Sequence, residues 1–268
     1  MYTIKLSLKI KTSQNLEKLN EMFGDLLGKL WRNGQILGSD HSSAFHNNSL
    51  TCFVRCSEQE SFALKYRNIH VRKAWKQLEN EAETKIKIEF LGQDLVHSDA
   101  QCSEKSSFYI LFTHFLMLES PIRCGDCFKP VPLYRIPHTS HDEYSDVLWW
   151  EDKYKACDTL QIGSSVGEKF GLKEISDYNS VLTREGLKIC KKIEKLTKKR
   201  VFYYLFNFKK TSVGKDKQKK CPSCGGKWLL ESPLHKLFDF QCKKCGLLSN
   251  LTCKIKAGNC TFLSVDGW

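Results

Sequence analysis

No export signal opens this chain. Residues 1–11 alternate apolar and polar side chains and include Lys5, Lys9 and Lys11, where a leader needs an unbroken apolar stretch. No apolar run reaches the length of a membrane span. The longest, residues 108–118, is about a dozen residues and contains His114. These absences speak against secretion and membrane insertion and make the cytoplasm the expected location. Signatures of catalysis are missing as well: there is no Walker loop, no G-x-G-x-x-G, no G-x-S-x-G elbow, and neither H-E-x-x-H nor H-x-x-E-H. His138, His141, Asp142 and Glu143 form a short cluster, but it follows Pro137 in a polar stretch that reads as exposed loop. The expectation is a protein that is not an enzyme.

Acidic charge is scarce in the last third. The chain has 268 residues, with 42 Lys or Arg against 30 Asp or Glu, a balance of +12. Residues 186–268 hold 19 of the basic residues and only five acidic ones, while residues 1–185 are close to neutral. Such asymmetry points to an anionic partner for the C-terminal third, nucleic acid first. Apolar residues make up 41% and charged residues 27%, enough for a real core. Thirteen cysteines are many for this length. Without an export signal they read as thiols or metal ligands rather than disulfides.

The strongest chemical motif lies in the basic third. Cys221 and Cys224, then Cys242 and Cys245, form C-x2-C-x17-C-x2-C. Each pair can turn two thiolates onto one ion, and Gly225, Gly226 and Gly246 free the backbone behind the pairs. Two short strands, 227–230 and 237–241, fill the interval, with Pro233 at the turn. This is the spacing of a zinc ribbon. Four sulfur ligands leave no open position, so the zinc would be structural. Trp228, Phe238 and Phe240 offer aromatic surface for stacking, although a small ribbon needs Phe238 and Phe240 for its own core.

The fold class expected is α+β. A strand at 2–10, a helix to about Trp31, a strand at 50–56, a long helix opened by a capping box at 57–60, and strands at 85–91 and 108–118 suggest an antiparallel or mixed sheet with helices on one face. Residues 41–48 read as polar loop. A third C-x2-C pair, Cys124 and Cys127, follows a strand and precedes three prolines, so it does not open a helix. A knuckle is favoured over a redox pair, and Cys124 with Cys127 is a candidate second metal site, to be completed by His138, His141 or Cys157. The middle is helical. Residues 166–170 form a helix broken at Gly171, and Ser180 caps a longer one to about Lys198 with a stripe of Leu182, Gly186, Ile189, Ile193 and Leu196. The expected division is an α+β domain at 1–119, a middle region at 120–208 packed on it, and a basic linker with the ribbon at 209–268.

Several stretches resemble one bacterial family of uncharacterised zinc-ribbon proteins whose label suggests nucleic-acid binding. They are RCGDCFKPVPLYRIP at 123–137, WEDKYKACDTL at 150–160, SVLTREGLKIC at 180–190, Tyr203-Tyr204-Leu205, and the four ribbon cysteines. The resemblance covers roughly the second half of the chain. It implies zinc and, as a suggestion only, nucleic acid.

Together these features predict a zinc-binding, nucleic-acid-binding protein. The candidate phosphate contacts are Lys191, Lys195, Lys198, Lys199, Arg200, Lys209, Lys210, Lys219, Lys220, Lys227, Lys243 and Lys244. The alternative is an adaptor or inhibitor that docks on an acidic protein through the ribbon and its basic surface.

Overall fold

The computed structural model describes residues 1–95, 101–103, 105–163, 165–208 and 212–252. Two compact units emerge. One is Met1–Ser103 with Leu118–Ile122 and Lys129–Leu148; the other is Glu104–Met117, Arg123–Phe128 and the chain from Trp149.

The first unit is a four-stranded sheet under two helices. Its elements are β1 (Tyr2–Lys9), α1 (Leu16–Arg32), β2 (Ser43–His46), β3 (Ser49–Cys56), α2 (Ile69–Ala82) and β4 (Lys87–Gln93). The strand order is β2-β3-β1-β4, antiparallel at every pairing. Alternation sends Ile4, Leu6 and Leu8 of β1 and Leu50, Cys52 and Val54 of β3 inward. They meet Leu19, Phe23, Leu26 and Leu30 of α1 and Val71, Leu78 and Ala82 of α2 in one core.

Local chemistry places the helix ends. Asn15 caps α1 by accepting from the Lys18 amide. The capping box expected at 57–60 closes a short 3-10 turn instead, Gln59–Phe62, in which Glu58 and Ser61 cap each other. The long helix therefore starts later, at Asn68, whose side chain accepts from the Val71 amide at 2.8 Å. The loop expected at 41–48 contains β2, a short and exposed edge strand.

The second unit is a six-stranded sheet of order β6-β5-β7-β10-β9-β8. In chain order come β5 (Tyr109–Leu111), β6 (Ile122–Cys124), α3 (Ser145–Ile162), α4 (Glu168–Ser176), α5 (Val181–Thr197), β7 (Val201–Tyr204), α6 (Val213–Lys217), β8 (Leu229–Leu234), β9 (Phe238–Cys242) and β10 (Leu247–Ser249). The strand expected at 108–118 is thus short, and it belongs to this second sheet. β5, β7 and β10 run parallel, and β9 returns antiparallel to β10.

All four residues of β7 are buried, as in a parallel strand covered on both faces. Phe202 and Tyr204 join Ile110, Phe112, Phe128, Phe238 and Leu248 on one side. Tyr203 faces α3 and α5, its ring 6.0 Å from that of Trp150.

Ser180 caps α5 as expected, accepting from the Thr183 amide at 3.0 Å, and Lys198 ends it in the left-handed conformation. Leu182, Gly186, Ile189 and Ile193 are buried, while Leu196 stays partly exposed. Two glycines sit where helices approach closely. A Cβ on Gly171 would strike the Cys157 carbonyl oxygen, so α4 runs through this glycine and does not break at it. A Cβ on Gly186 would strike the Tyr203 ring and the Trp150 indole. Gly186→Ala should therefore cost about 1–3 kcal/mol in urea unfolding. A stabilised variant, as helix propensity alone would give, would contradict this packing.

Candidate metal centre

Cys221, Cys224, Cys242 and Cys245 converge. Their four Sγ atoms lie within 4.8 Å of one another and could hold a metal ion. The Sγ atoms of Cys224 and Cys242 are 3.7 Å apart. A tetrahedron with metal–sulfur bonds of ~2.3 Å has edges of about 3.8 Å, so the donor set fits zinc's size and softness.

Both knuckles share one backbone device. The Gly225 amide donates to the Cys221 carbonyl at 2.8 Å, and the Gly246 amide to the Cys242 carbonyl at 2.9 Å. The two glycines have φ of +70° and +67°, the left-handed region that a Cβ resists. Burial pushes the Cys221 thiol up to about 12, whereas the Gly226 amide and the Cys245 thiol pull Cys224 down to about 7. Metal binding must therefore displace protons from the quartet.

The third pair folds the same way. The Phe128 amide donates to the Cys124 carbonyl at 2.9 Å, and Phe128 has a φ of +60°. That conformation is sterically unfavourable for a bulky residue. Packing offsets the strain: Phe128 lies in the aromatic core, T-shaped to Phe112 and Phe238 and stacked on His235 at 5.1 Å. His235, at the turn after β8, contacts the Gly125 carbonyl at 2.8 Å. Cys124 is buried and Cys127 exposed. Of the partners expected for this pair, His138 is not a loose loop residue. It sits in the first unit, 3.0 Å from Asn33 Oδ1 and against the Tyr144 ring. His141 is exposed, and Cys157 is buried on α3. Cys52, Cys56, Cys102 and Cys190 are buried; Cys253 and Cys260 lie outside the described residues.

The quartet is joined to the six-stranded sheet, because Cys242 is the last residue of β9. Leu247 and Leu248, directly after the second knuckle, pair with Tyr203 and Tyr204. The expected linker contributes α6, whose Asp216 is fully buried and binds Lys219, the Asn207 side-chain amide and the Thr252 amide. Asn207 and Asn250 bond reciprocally, joining the end of β7 to the end of β10. Phe238 and Phe240 are fully buried; Phe240 packs against Trp228 within the hairpin, whereas Phe238 joins the aromatic cluster of the larger sheet and not a core of the ribbon's own. Trp228 is also buried, donating to the Lys219 carbonyl at 3.1 Å, and offers no stacking surface.

The basic residues divide by environment. Arg200 donates to Glu194 at 2.7 Å and to the carbonyls of Lys243 and Lys244 at 2.8 and 3.2 Å. Its guanidinium thus ties α5 to the second knuckle. Lys199 donates to the Ser106 carbonyl beside the Tyr109 ring, and Lys219 is held by Asp216. These three cations hold the fold. Lys191, Lys195, Lys198, Lys220, Lys227, Lys243 and Lys244 are exposed, and Lys209 and Lys210 lie outside the described residues. The Arg200 clamp is the feature that sequence reasoning missed. Its only sequence signal is a basic residue just past a helix end.

Arg200→Ala should weaken metal retention about tenfold or more in chelator competition, as loss of a group that orients a ligand does. Unchanged retention would show that the guanidinium does not support the knuckle.

Among known proteins, residues 103–206 match a family described as a domain of unknown function, DUF2310. Residues 1–92 and 210–255 match two further domains of unknown function, DUF8589 and DUF8594. An uncharacterized protein of Haemophilus influenzae is 29% identical over 262 residues, covering 94% of this chain and 98% of its own. Another from the same organism is 36% identical over 168 residues, covering 61% of this chain and 81% of its own. A solved structure titled as an antibiotic biosynthesis monooxygenase aligns with 34% of this chain and 96% of its own, at 7% identity and a TM-score of 0.28. No described helix is long and apolar enough to cross a membrane. With 36% identity across four fifths of a bacterial relative, the chain belongs to the family of uncharacterised bacterial proteins that carry DUF2310.

Proposed function

We propose that this is a cytoplasmic, non-enzymatic protein that binds nucleic acid through its C-terminal third, with a structural zinc on Cys221, Cys224, Cys242 and Cys245. The observation that carries the reading is the Arg200 clamp. By joining Glu194 of α5 to the backbone carbonyls of Lys243 and Lys244, it ties the helix that carries the exposed Lys191 and Lys195 to the knuckle that carries the exposed Lys243 and Lys244. Lys191 lies three residues before Glu194 on the same helix face, and Lys198 is the residue that ends the helix. A four-thiolate zinc carries a formal charge of about −2, and Lys227, Lys243 and Lys244 outweigh it locally. Contacts of this kind bind phosphates without reading bases. The Cys124–Cys127 knuckle is proposed as half of a second zinc site, on the strength of the backbone device it shares with the ribbon knuckles.

Titration of the zinc-loaded protein against labelled single-stranded DNA, duplex DNA and RNA over a range of salt tests the reading. Replacing Lys191, Lys195, Lys198, Lys243 and Lys244 with alanine should flatten the log–log salt slope, by about 0.7 for each single-strand phosphate that is no longer neutralised. Weak binding that is equal for all three ligands and confined to low salt would overturn it in favour of an acidic protein partner. Metal analysis should find two zinc ions per chain, falling to one in Cys242→Ser and to one in Cys124→Ser. A single zinc in the unaltered protein would remove the second site.

A further inference from the structure

In the first unit, α1 and α2 cover one face of the sheet, and the other face is open. At its centre stands Phe53 of β3, 58% exposed between the buried Cys52 and Val54. One exposed apolar side chain is ordinary. Its surroundings are less so. Lys5 of β1 lies directly opposite Phe53 in the sheet register, and Arg55 follows on the same face of β3. Lys9 extends the row along β1, and Lys87 flanks it on β4. Neither central strand contains an Asp or Glu. The one carboxylate on the open face of β4, Glu89, lies 3.8 Å from both Lys5 and Lys87, and Arg55 pairs with Asp94 through its Nε at 3.1 Å.

An aromatic ring set among cations on an open sheet face has two obvious occupants. A second copy of the chain is disfavoured. A two-fold contact puts the same patch on both sides, so Lys5, Lys9, Arg55 and Lys87 would face their own copies. Single-stranded nucleic acid satisfies both features, because an unpaired base offers a π-face and its backbone offers anionic phosphates. A duplex buries its base faces and cannot use the ring.

We propose that the open face of the β2-β3-β1-β4 sheet is a platform for single-stranded nucleic acid, with a base stacked on Phe53 and the backbone held by Lys5 and Arg55. The ligand class rests on the nucleic-acid reading above, but the surface is a different one. It gives the protein a site that discriminates single strands from duplexes, which phosphate contacts alone do not.

The test uses the full zinc-loaded chain with fluorescein-labelled oligo(dT), oligo(U) and a duplex of equal length at one salt concentration. Phe53→Ala should weaken single-strand binding about tenfold or more, the loss of one stacked base, while leaving duplex binding and the salt slope as they were. Phe53→Tyr should restore the affinity. Ultraviolet cross-linking of oligo(U) should label the peptide that contains Ser49–Cys56. Because Phe53 is exposed, the alanine variant should keep its far-ultraviolet dichroism and melting temperature. Wild-type single-strand affinity in Phe53→Ala, with the slope still flattened by the C-terminal lysine variants, would overturn the platform and leave the C-terminal reading standing. A dimer in sedimentation that Phe53→Ala abolishes would overturn it in favour of a second copy. Absence of binding to all three ligands would overturn both.

Discussion

The parallel pairing of Leu247 and Leu248 with Tyr203 and Tyr204 is the contact on which the second unit depends. It converts a short cysteine-rich hairpin into an extension of a larger sheet. β9 and β8 add beyond β10, and Phe238 of β9 closes the aromatic cluster that β5 and β7 begin. A free-standing ribbon of this size has little core and relies on its metal. Here dependence runs both ways. A metal on the cysteine quartet would fix the knuckle from which β10 starts, and β10 pairs along one side of β7. The Asn207–Asn250 pair and the buried Asp216 repeat the same connection in polar form, with each buried group given a partner.

Charge is organised around that frame. The basic balance of the C-terminal third is one number in the sequence but two populations in the structure. Arg200, Lys199 and Lys219 direct their charge at carbonyls and carboxylates of the second unit. The lysines of the second knuckle and of the end of α5 remain in solvent. Arg200 suits the clamp because its planar fork reaches Glu194 and two knuckle carbonyls at once, which a lysine ammonium does not. Arg200, a candidate phosphate contact in a linear reading, is thus a brace between α5 and the second knuckle.

Legibility in the sequence followed how local the cause was. The four ribbon cysteines and the Ser180 cap could be read directly, because spacing and one side chain determine each. The core faces of β1 and α1 followed from periodicity. Elements that depend on distant partners were not readable. β10 is three residues long and exists because β7 lies beside it. β2 is an exposed edge with no apolar alternation to mark it. Gly171 looks like a helix breaker, yet it lies inside α4 because Cys157 approaches too closely for any Cβ. At 57–69 two candidate caps competed, and Asn68 won the long helix while Glu58 and Ser61 kept only a short turn. Phe128 shows the limit most clearly. Only its tertiary packing explains why an aromatic side chain accepts a left-handed backbone.

The measurement that bears most directly on this account is amide hydrogen exchange of the full chain, zinc-loaded and after chelation. If the cysteine quartet is joined to the six-stranded sheet, removing the metal should expose the amides of β10 and, with them, those of β7 and β5. Loss of protection confined to residues 221–249, with β5 and β7 unchanged, would contradict it and make the ribbon an independent module.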